Sequence, residues 1–145
     1  MDSIFPQILH PLQQLKIYDN KLSGDIPNQI FRYLDNLIVI FLHNNFLRGR
    51  IPLFLGSLRS LEILDISNNS FSSTIPFELE NLTLLNVLDL SFNDLYGEVP
   101  IRGVFSNVSV ISLTGNKNLC GGVPQLRLPA WIRAPSKKHK RSLKN

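Results

Sequence analysis

The stretch LDISNNSFSSTIPFELENLTLLNVLDLSFNDLYGEVP, which runs from Leu64 to Pro100, contains one pattern twice. Prolines and asparagines extend this pattern along the chain at steps of 23 to 25 residues. The prolines are Pro27, Pro52, Pro76 and Pro100, and the asparagines are Asn20, Asn45, Asn69, Asn93 and Asn116. Apolar positions keep the same period, which indicates an array of structural repeats.

Each repeat reads LxxLxxLxLxxNxLxGxIPxx, and its parts predict local structure. The LxL core predicts a short strand, with Leu15 and Ile17 pointing inward and Lys16 pointing outward. A single coil of this length cannot bury its own leucines, whereas stacked coils cover one another and form a continuous core. We therefore expect stacked coils whose strands form a parallel sheet on one side.

The polar and special residues of the repeat also have predictable roles. The asparagine follows the strand, where its side chain can pair with backbone groups that the turn leaves unpaired, so the five asparagines are expected to form an internal ladder. Gly24, Gly49 and Gly97 fit a bend with positive φ, and the proline after each Ile or Val fits an extended segment short of ladder donors. Ser73 replaces this glycine in the third repeat.

The repeats resemble the plant-type leucine-rich repeat, whose signature is LxGxIP after the asparagine, over residues 9–119. The stretch GVFSNVSVISLTGNKNLCGGVPQLRLPAW, residues 103–131, is similar to the last half-repeat and C-terminal cap of plant leucine-rich-repeat receptor-like kinases, close to the immune receptors for bacterial patterns. The resemblance implies an α/β-type leucine-rich-repeat solenoid. This fold is a curved right-handed coil with a parallel β-sheet on the concave face, about four repeats of 24 residues and a C-terminal cap.

Four parts are expected along the chain. They are a degenerate N-terminal remnant (1–8), the leucine-rich repeats (9–119), a C-terminal cap remnant (120–135) and a basic juxtamembrane-like tail (136–145). A transmembrane helix and a cytoplasmic Ser/Thr kinase follow in the family, and the sequence contains neither of them, nor a signal peptide. The resemblance therefore implies a truncated or fragmentary receptor, placed at the plasma membrane on its extracellular side.

Cys120 is the only cysteine of the chain. In the family, the cysteine of the LCGG motif pairs with a second one at about the position of Trp131, so the resemblance implies that Cys120 is an unpaired cap cysteine. Loss of a native bridge costs roughly 2–5 kcal/mol. A catalytic nucleophile is the alternative interpretation, but no histidine or acidic motif nearby supports it.

Charge is distributed unevenly. Up to residue 126 there are eight basic and eleven acidic residues, a net charge of −3, whereas the rest of the chain has seven basic and no acidic residues. The stretch SKKHKRSLKN can be a nuclear-localisation or nucleic-acid patch, a surface for anionic lipid, or the connector to a membrane helix. The resemblance favours the connector. Because the run lacks aromatic residues on which bases could stack, we expect no nucleic-acid partner.

Three sequons, at Asn68, Asn81 and Asn107, are possible N-glycosylation sites if the chain enters the secretory path. Binding residues are expected among the outward strand positions, because successive coils place them on one common surface. The less repetitive side chains there are the candidates for ligand or partner contact. These candidates are Lys16, Tyr18, Phe41 and His43. The repetitive LDxS residues, Asp65, Ser67, Asp89 and Ser91, are interpreted as scaffold.

No catalytic constellation, metal site or cofactor site is predicted. His43 has no second histidine, cysteine or paired carboxylate at ligand spacing, and phosphate loops, zinc spacings and kinase motifs are missing from the sequence. The predicted function is a non-catalytic module for a protein or peptide ligand, or for a co-receptor ectodomain, in signalling or defence. The alternatives are a standalone intracellular adaptor and a truncated receptor remnant without a function of its own.

Overall fold

The computed structural model describes residues 12–130, which form stacked coils. This part of the chain contains ten short strands and five 3₁₀ helices, and two strands precede each helix. In chain order the strands are β1 (Gln14–Lys16), β2 (Ser23–Asp25), β3 (Val39–Phe41), β4 (Phe46–Gly49), β5 (Ile63–Asp65), β6 (Ser70–Phe71), β7 (Val87–Asp89), β8 (Tyr96–Val99), β9 (Ile111–Ser112) and β10 (Asn118–Gly121). The 3₁₀ helices are η1 (Asn28–Tyr33), η2 (Leu53–Ser57), η3 (Phe77–Asn81), η4 (Gly103–Ser106) and η5 (Pro124–Leu126).

One five-stranded sheet contains the LxL strand of every coil. Its order is β1-β3-β5-β7-β9, and all of its pairs are parallel. Each pair joins residues that occupy equivalent positions in successive repeats, such as Leu15 with Ile40 and Ile40 with Leu64. The predicted leucine-rich-repeat solenoid with a parallel sheet is confirmed.

A second set of parallel strands comes from the LxGxIP segments, and the sequence pattern does not predict it. Strands β2, β4 and β6 form one sheet, and β8 pairs with β10 in another. The expectation that these segments lack ladder donors is therefore wrong for the residues that precede the proline. The predicted bends are present, because Gly24, Gly49 and Gly97 have φ of 89°, 80° and 84°.

The opposite side of the coils consists of 3₁₀ helices. Pro27, Pro52 and Pro76 come directly before η1, η2 and η3, with φ between −63° and −60° and ψ between 125° and 130°. Because the proline ring fixes φ near this value, each repeat enters its helix from the same extended conformation. No helix within residues 12–130 is both long enough and apolar enough to cross a membrane.

The core lies between the sheet and the helices and continues through all coils. Its leucines have almost no exposed surface, for example Leu64 and Leu88. Three phenylalanines, Phe31, Phe71 and Phe105, are also fully buried. In the first described coil Leu12 and Leu22 are exposed, whereas the leucines at equivalent positions in later coils are covered by the preceding coil.

The repeated asparagines join neighbouring coils by side-chain hydrogen bonds. The Nδ2 atom of Asn93 donates to the carbonyls of Ile66, Leu90 and Ser91, and its Oδ1 accepts from the backbone N–H of Phe71. The other asparagines that bond across coils in this way are Asn45, Asn69 and Asn116. Asn20 differs, because it is exposed and its Nδ2 donates to the carbonyl of Tyr18 in its own turn.

Two of the four predicted parts lie outside the described residues. These are the N-terminal remnant (1–8) and the basic tail (136–145), and the cap remnant (120–135) is described only up to Ala130. The described part of the cap packs on the last repeat through the β8–β10 pair, in which Cys120 lies opposite Glu98. The N–H of Gly121 also donates to the carbonyl of Pro129, which closes the cap on itself.

Candidate functional site

The register of the sheet brings the candidate binding residues together. Lys16 lies opposite Phe41 in the β1–β3 pair, and Phe41 lies opposite Asp65 in the β3–β5 pair. Tyr18 and His43 follow two residues further along their chains, so they point to the same side of the sheet. Four residues that are spread over two repeats of sequence therefore occupy neighbouring positions on one face.

Three of these side chains form an aromatic cluster. The rings of Tyr18 and His43 are stacked, with centroids 4.8 Å apart and an interplanar angle of 4°. Phe41 meets both rings edge to face, at centroid distances of 6.2 Å from Tyr18 and 5.6 Å from His43. These are the geometries that aromatic pairs prefer. The Nζ of Lys16 lies 5.8 Å from the centroid of the Phe41 ring, within the range of a cation–π contact.

The cluster is partly open to solvent. Tyr18 keeps 43% of its surface exposed, and Lys16 is exposed, whereas Phe41 and His43 are half-buried. The three rings contact one another, which restricts their orientation. An accessible aromatic surface of fixed shape is what a binding site for a peptide or protein requires, because little side-chain entropy is lost on contact.

His43 has an acidic neighbour that the sequence spacing did not reveal. Its Nδ1 lies 3.3 Å from Oδ2 of Asp65, which is one coil further along the sheet. The alignment is not that of a hydrogen bond, and Nδ1 is buried without a hydrogen-bond partner. The two groups are close enough to attract when the imidazole is protonated. Local spacing does not reveal this contact, because stacking of the coils brings together residues 22 positions apart in the sequence.

The repetitive Asp-x-Ser positions are bonded internally. Oδ1 of Asp65 accepts hydrogen bonds from the N–H and the hydroxyl of Ser67. Asp89 and Ser91 repeat the same arrangement in the next coil. These bonds stiffen the turn after each strand, which agrees with their interpretation as scaffold.

A second polar row, missed in the sequence, borders the candidate surface. The residue before each ladder asparagine has positive φ, between 51° and 57° at the non-glycine positions and 81° at Gly115. The non-glycine members are Asp19, Asn44, Asn68 and Phe92. Nδ2 of Asn44 donates to Oδ1 of Asp19, and Nδ2 of Asn68 donates to Oδ1 of Asn44. The signal was present in the sequence, since Asn and Asp tolerate this conformation better than other residues.

Phe92 breaks this row. It is 58% exposed and has φ of 53°, a conformation that a bulky side chain rarely adopts. A Cβ atom at Gly115 would lie 2.5 Å from Cδ1 of Phe92, so the ring rests on the glycine of the next coil. The glycine thus makes room for an aromatic side chain where the earlier coils have hydrogen-bonded Asp or Asn side chains.

The three sequon asparagines are exposed, as glycosylation would require. Asn81 ends η3 on the helical side. Asn68 lies in the outer polar row beside the candidate surface. The Oδ1 of Asn107 accepts from the N–H and hydroxyl of Ser109.

Cys120 is half-buried in β10. Within residues 12–130, no group of three or more His, Cys, Asp or Glu side chains is close enough to hold a metal ion.

The chain is similar to known leucine-rich-repeat proteins. The profile of the Leucine Rich Repeat family matches residues 60–82. A probable leucine-rich-repeat receptor-like serine/threonine-protein kinase of Arabidopsis thaliana is 40% identical over 106 residues, which cover 71% of this chain and 8% of that kinase.

Solved structures from the same plant share the fold. A chain of the BIR3–SERK2 complex is 35% identical with a TM-score of 0.72, over 81% of this chain and 60% of that one. A chain of the complex of the receptor kinase HAESA with the peptide hormone IDA and the co-receptor SERK1 is 42% identical with a TM-score of 0.68, over 76% of this chain and 18% of that one. This chain thus spans a small part of the kinase and at most about three fifths of these structural relatives.

Proposed function

We propose that this chain, a leucine-rich-repeat solenoid similar to the ectodomains of plant receptor kinases, is a non-catalytic module that binds a peptide or a protein on its concave sheet. The observation that carries the proposal is the packing of Tyr18, Phe41 and His43 into one accessible aromatic cluster. Lys16 on one side and Asp65 on the other give this cluster a cationic and an anionic edge. Aromatic anchors with polar groups around them are the usual centres of protein interfaces.

The size of the sheet indicates the class of ligand. Five strands spaced by about 4.8 Å give a surface about 19 Å wide, which an extended segment of about six residues can cross. A surface of this width offers less area than a standard interface between two proteins, which buries about 800 Å² on each partner. A short peptide, or one contact region of a larger partner such as a co-receptor ectodomain, fits this surface.

The relatives support the same class of partner. One structural relative comes from a complex that contains a peptide hormone and a co-receptor, and another comes from a complex of two proteins. By this similarity, the proposed role is ligand or co-receptor docking in signalling or defence, on the extracellular side of the plasma membrane. The relative that is named as a probable serine/threonine-protein kinase is matched by this chain over 8% of its length, and no kinase activity is proposed for this chain.

Selection from a displayed library of random peptides tests the proposal, since a random library needs no identified ligand. Peptides are selected on the full chain, and the affinity of each is measured for the wild type and for the Phe41→Ala variant. Loss of a central aromatic anchor costs about 2 kcal/mol, so we expect affinity to fall about thirtyfold. Tyr33→Ala is the matched control, because Tyr33 is an aromatic residue with 81% exposure in η1, on the helical side.

Selected peptides should bind the Tyr33→Ala variant as tightly as the wild type. Peptides that bind the Phe41→Ala variant and the wild type equally well, or that lose affinity only with Tyr33→Ala, would contradict the proposed site. A circular dichroism spectrum of each variant shows whether its fold is kept.

A further inference from the structure

A row of exposed apolar side chains runs along the flank of the solenoid that carries β4, β6 and β8. The residue that follows the repeat proline is Leu53, Phe77 or Ile101 in the second, third and fourth coils, with 52%, 69% and 52% of its surface exposed. Backbone hydrogen bonds join these coils on the flank, through the β4–β6 pair and from the N–H of Tyr96 to the carbonyl of Ser73. The row therefore has the spacing of stacked strands, about 4.8 Å per coil.

Two grooves lie beside this row. The larger one, of about 480 Å³, is lined by Phe77 and Ile101, and the smaller one, of about 300 Å³, is lined by Leu53. Thr74 and Tyr96 line both grooves, so the two form one continuous surface. Large exposed apolar side chains gathered around grooves mark a surface that another molecule covers.

The two ends of this flank carry opposite charges. The residue two positions before the proline is Arg50, Thr74 or Glu98 in the second, third and fourth coils, and all three are exposed. Neither Arg50 nor Glu98 belongs to an ion pair within residues 12–130. Glu80, in the third coil, also lines the larger groove, where its Oε1 accepts a backbone hydrogen bond.

These rows are complementary to themselves under a two-fold rotation. A second copy that is turned about an axis parallel to the flank strands of the third coil faces the first copy with its coil order reversed. Phe77 then meets Phe77 of the second copy, and Leu53 meets Ile101. Arg50 meets Glu98, and this pair forms twice. A contact that uses the same patch on both copies is isologous, which is the symmetry of most homodimers.

We propose that the flank binds a second copy of the chain in this two-fold arrangement. The apolar row offers a few hundred Å², less than the roughly 800 Å² that each partner buries in a standard interface, and Glu80 comes near its own counterpart. The dimer is therefore weak and depends on concentration. The flank is separate from the concave sheet, so dimerisation does not require the proposed peptide binding.

Sedimentation velocity of the full chain at increasing concentration measures the dimer. Leu53→Ser and Leu84→Ser are matched variants, because the two leucines are 52% and 53% exposed and Leu84 lines neither groove. The Leu53 contact occurs twice in the dimer, so we expect Leu53→Ser to raise the dissociation constant about tenfold. Leu84→Ser should leave it unchanged, and circular dichroism shows whether each variant keeps its fold.

Charge reversal tests the orientation of the two copies. Arg50→Glu and Glu98→Arg should each abolish dimerisation, because like charges then meet at both ends of the interface. An equimolar mixture of these two variants should dimerise, since every carboxylate at these positions again faces a guanidinium. Glu80→Gln removes the repulsion at the centre and should tighten the dimer.

Several results would overturn the proposal. They are a chain that stays monomeric at its highest soluble concentration, equal weakening by Leu53→Ser and Leu84→Ser, and a mixture of the charge-reversed variants that remains monomeric. A dimer that Glu80→Gln weakens would also contradict this arrangement. Dimerisation that persists in the flank variants and is lost with Leu22→Ser would assign the contact to the exposed first coil instead.

Discussion

At the scale of single residues, the same side-chain type performs different tasks according to its place in the repeat. Asn93 is buried and joins two coils by four hydrogen bonds. Asn44 and Asn68, one position earlier in their repeats, are exposed and bond to each other. The periodicity predicted the buried positions, because they recur with the apolar pattern. The outer row was missed, because it depends on a backbone conformation that spacing alone does not reveal.

Replacing a ladder asparagine should be costly where its side chain bonds to the backbone of the preceding coil, as that of Asn93 does. For Asn93→Ala we expect a loss of about 3 kcal/mol in the free energy of unfolding, because the buried N–H of Phe71 and several carbonyls lose their partner. Asn20→Ala removes one exposed bond within its own turn and should cost less than about 0.5 kcal/mol. Urea unfolding of the two variants measures the difference. Equal losses would show that the asparagines do not stabilise through bonds between coils.

Phe92 should be a strained position whose replacement stabilises the chain. Phe92→Asn keeps positive φ at lower cost and extends the outer row from Asn68, so we expect a gain of about 1 kcal/mol. Phe46→Asn is the control, since Phe46 is similarly exposed but lies in β4 without positive φ. Thermal unfolding checks both variants. A stability loss with Phe92→Asn would mean that the contact between the ring and Gly115 outweighs the strain.

At the scale of elements, the first sheet could be predicted and the second could not. The LxL strands alternate buried and open positions, which is a direct sequence signal. The LxGxIP strands contain glycine and precede proline, and both residues normally argue against a strand. Pairing between equivalent segments of stacked coils overrides this preference, because each backbone group finds a partner one coil away. Strand β6 is short, and it is joined to the segment of β8 by the hydrogen bonds from the N–H of Asp94 to the carbonyl of Phe71 and from the N–H of Tyr96 to the carbonyl of Ser73 rather than by a regular strand pair.

Ser73 should stabilise its element although it departs from the repeat. We expect Ser73→Ala to lower the free energy of unfolding by about 1–2 kcal/mol, because the buried N–H of Ile51 loses its acceptor. Ser72→Ala, at the exposed neighbouring position, should change stability by less than about 0.5 kcal/mol. Urea titrations of both proteins test this. If the two substitutions have equal effects, the hydrogen bond from the N–H of Ile51 to the hydroxyl of Ser73 does not stabilise this segment.

At the scale of the whole molecule, stacking converts distant positions of the sequence into one surface. The four candidate binding residues depart from the repeat in residue type, and the register explains why Lys16 lies beside Phe41. The contact between His43 and Asp65 could not be predicted from local spacing, since it requires the register of the sheet. The solenoid thus presents an aromatic surface on its concave sheet.

Site-specific photocrosslinking tests the central claim of a concave binding surface most directly. A benzophenone amino acid replaces Phe41 in one protein and Tyr33 in a second, and both are irradiated with the tightest-binding selected peptide. We predict a crosslinked product with the probe at position 41 and none with the probe at position 33. Efficient crosslinking at position 33, with none at position 41, would place the ligand on the helical side and contradict the account.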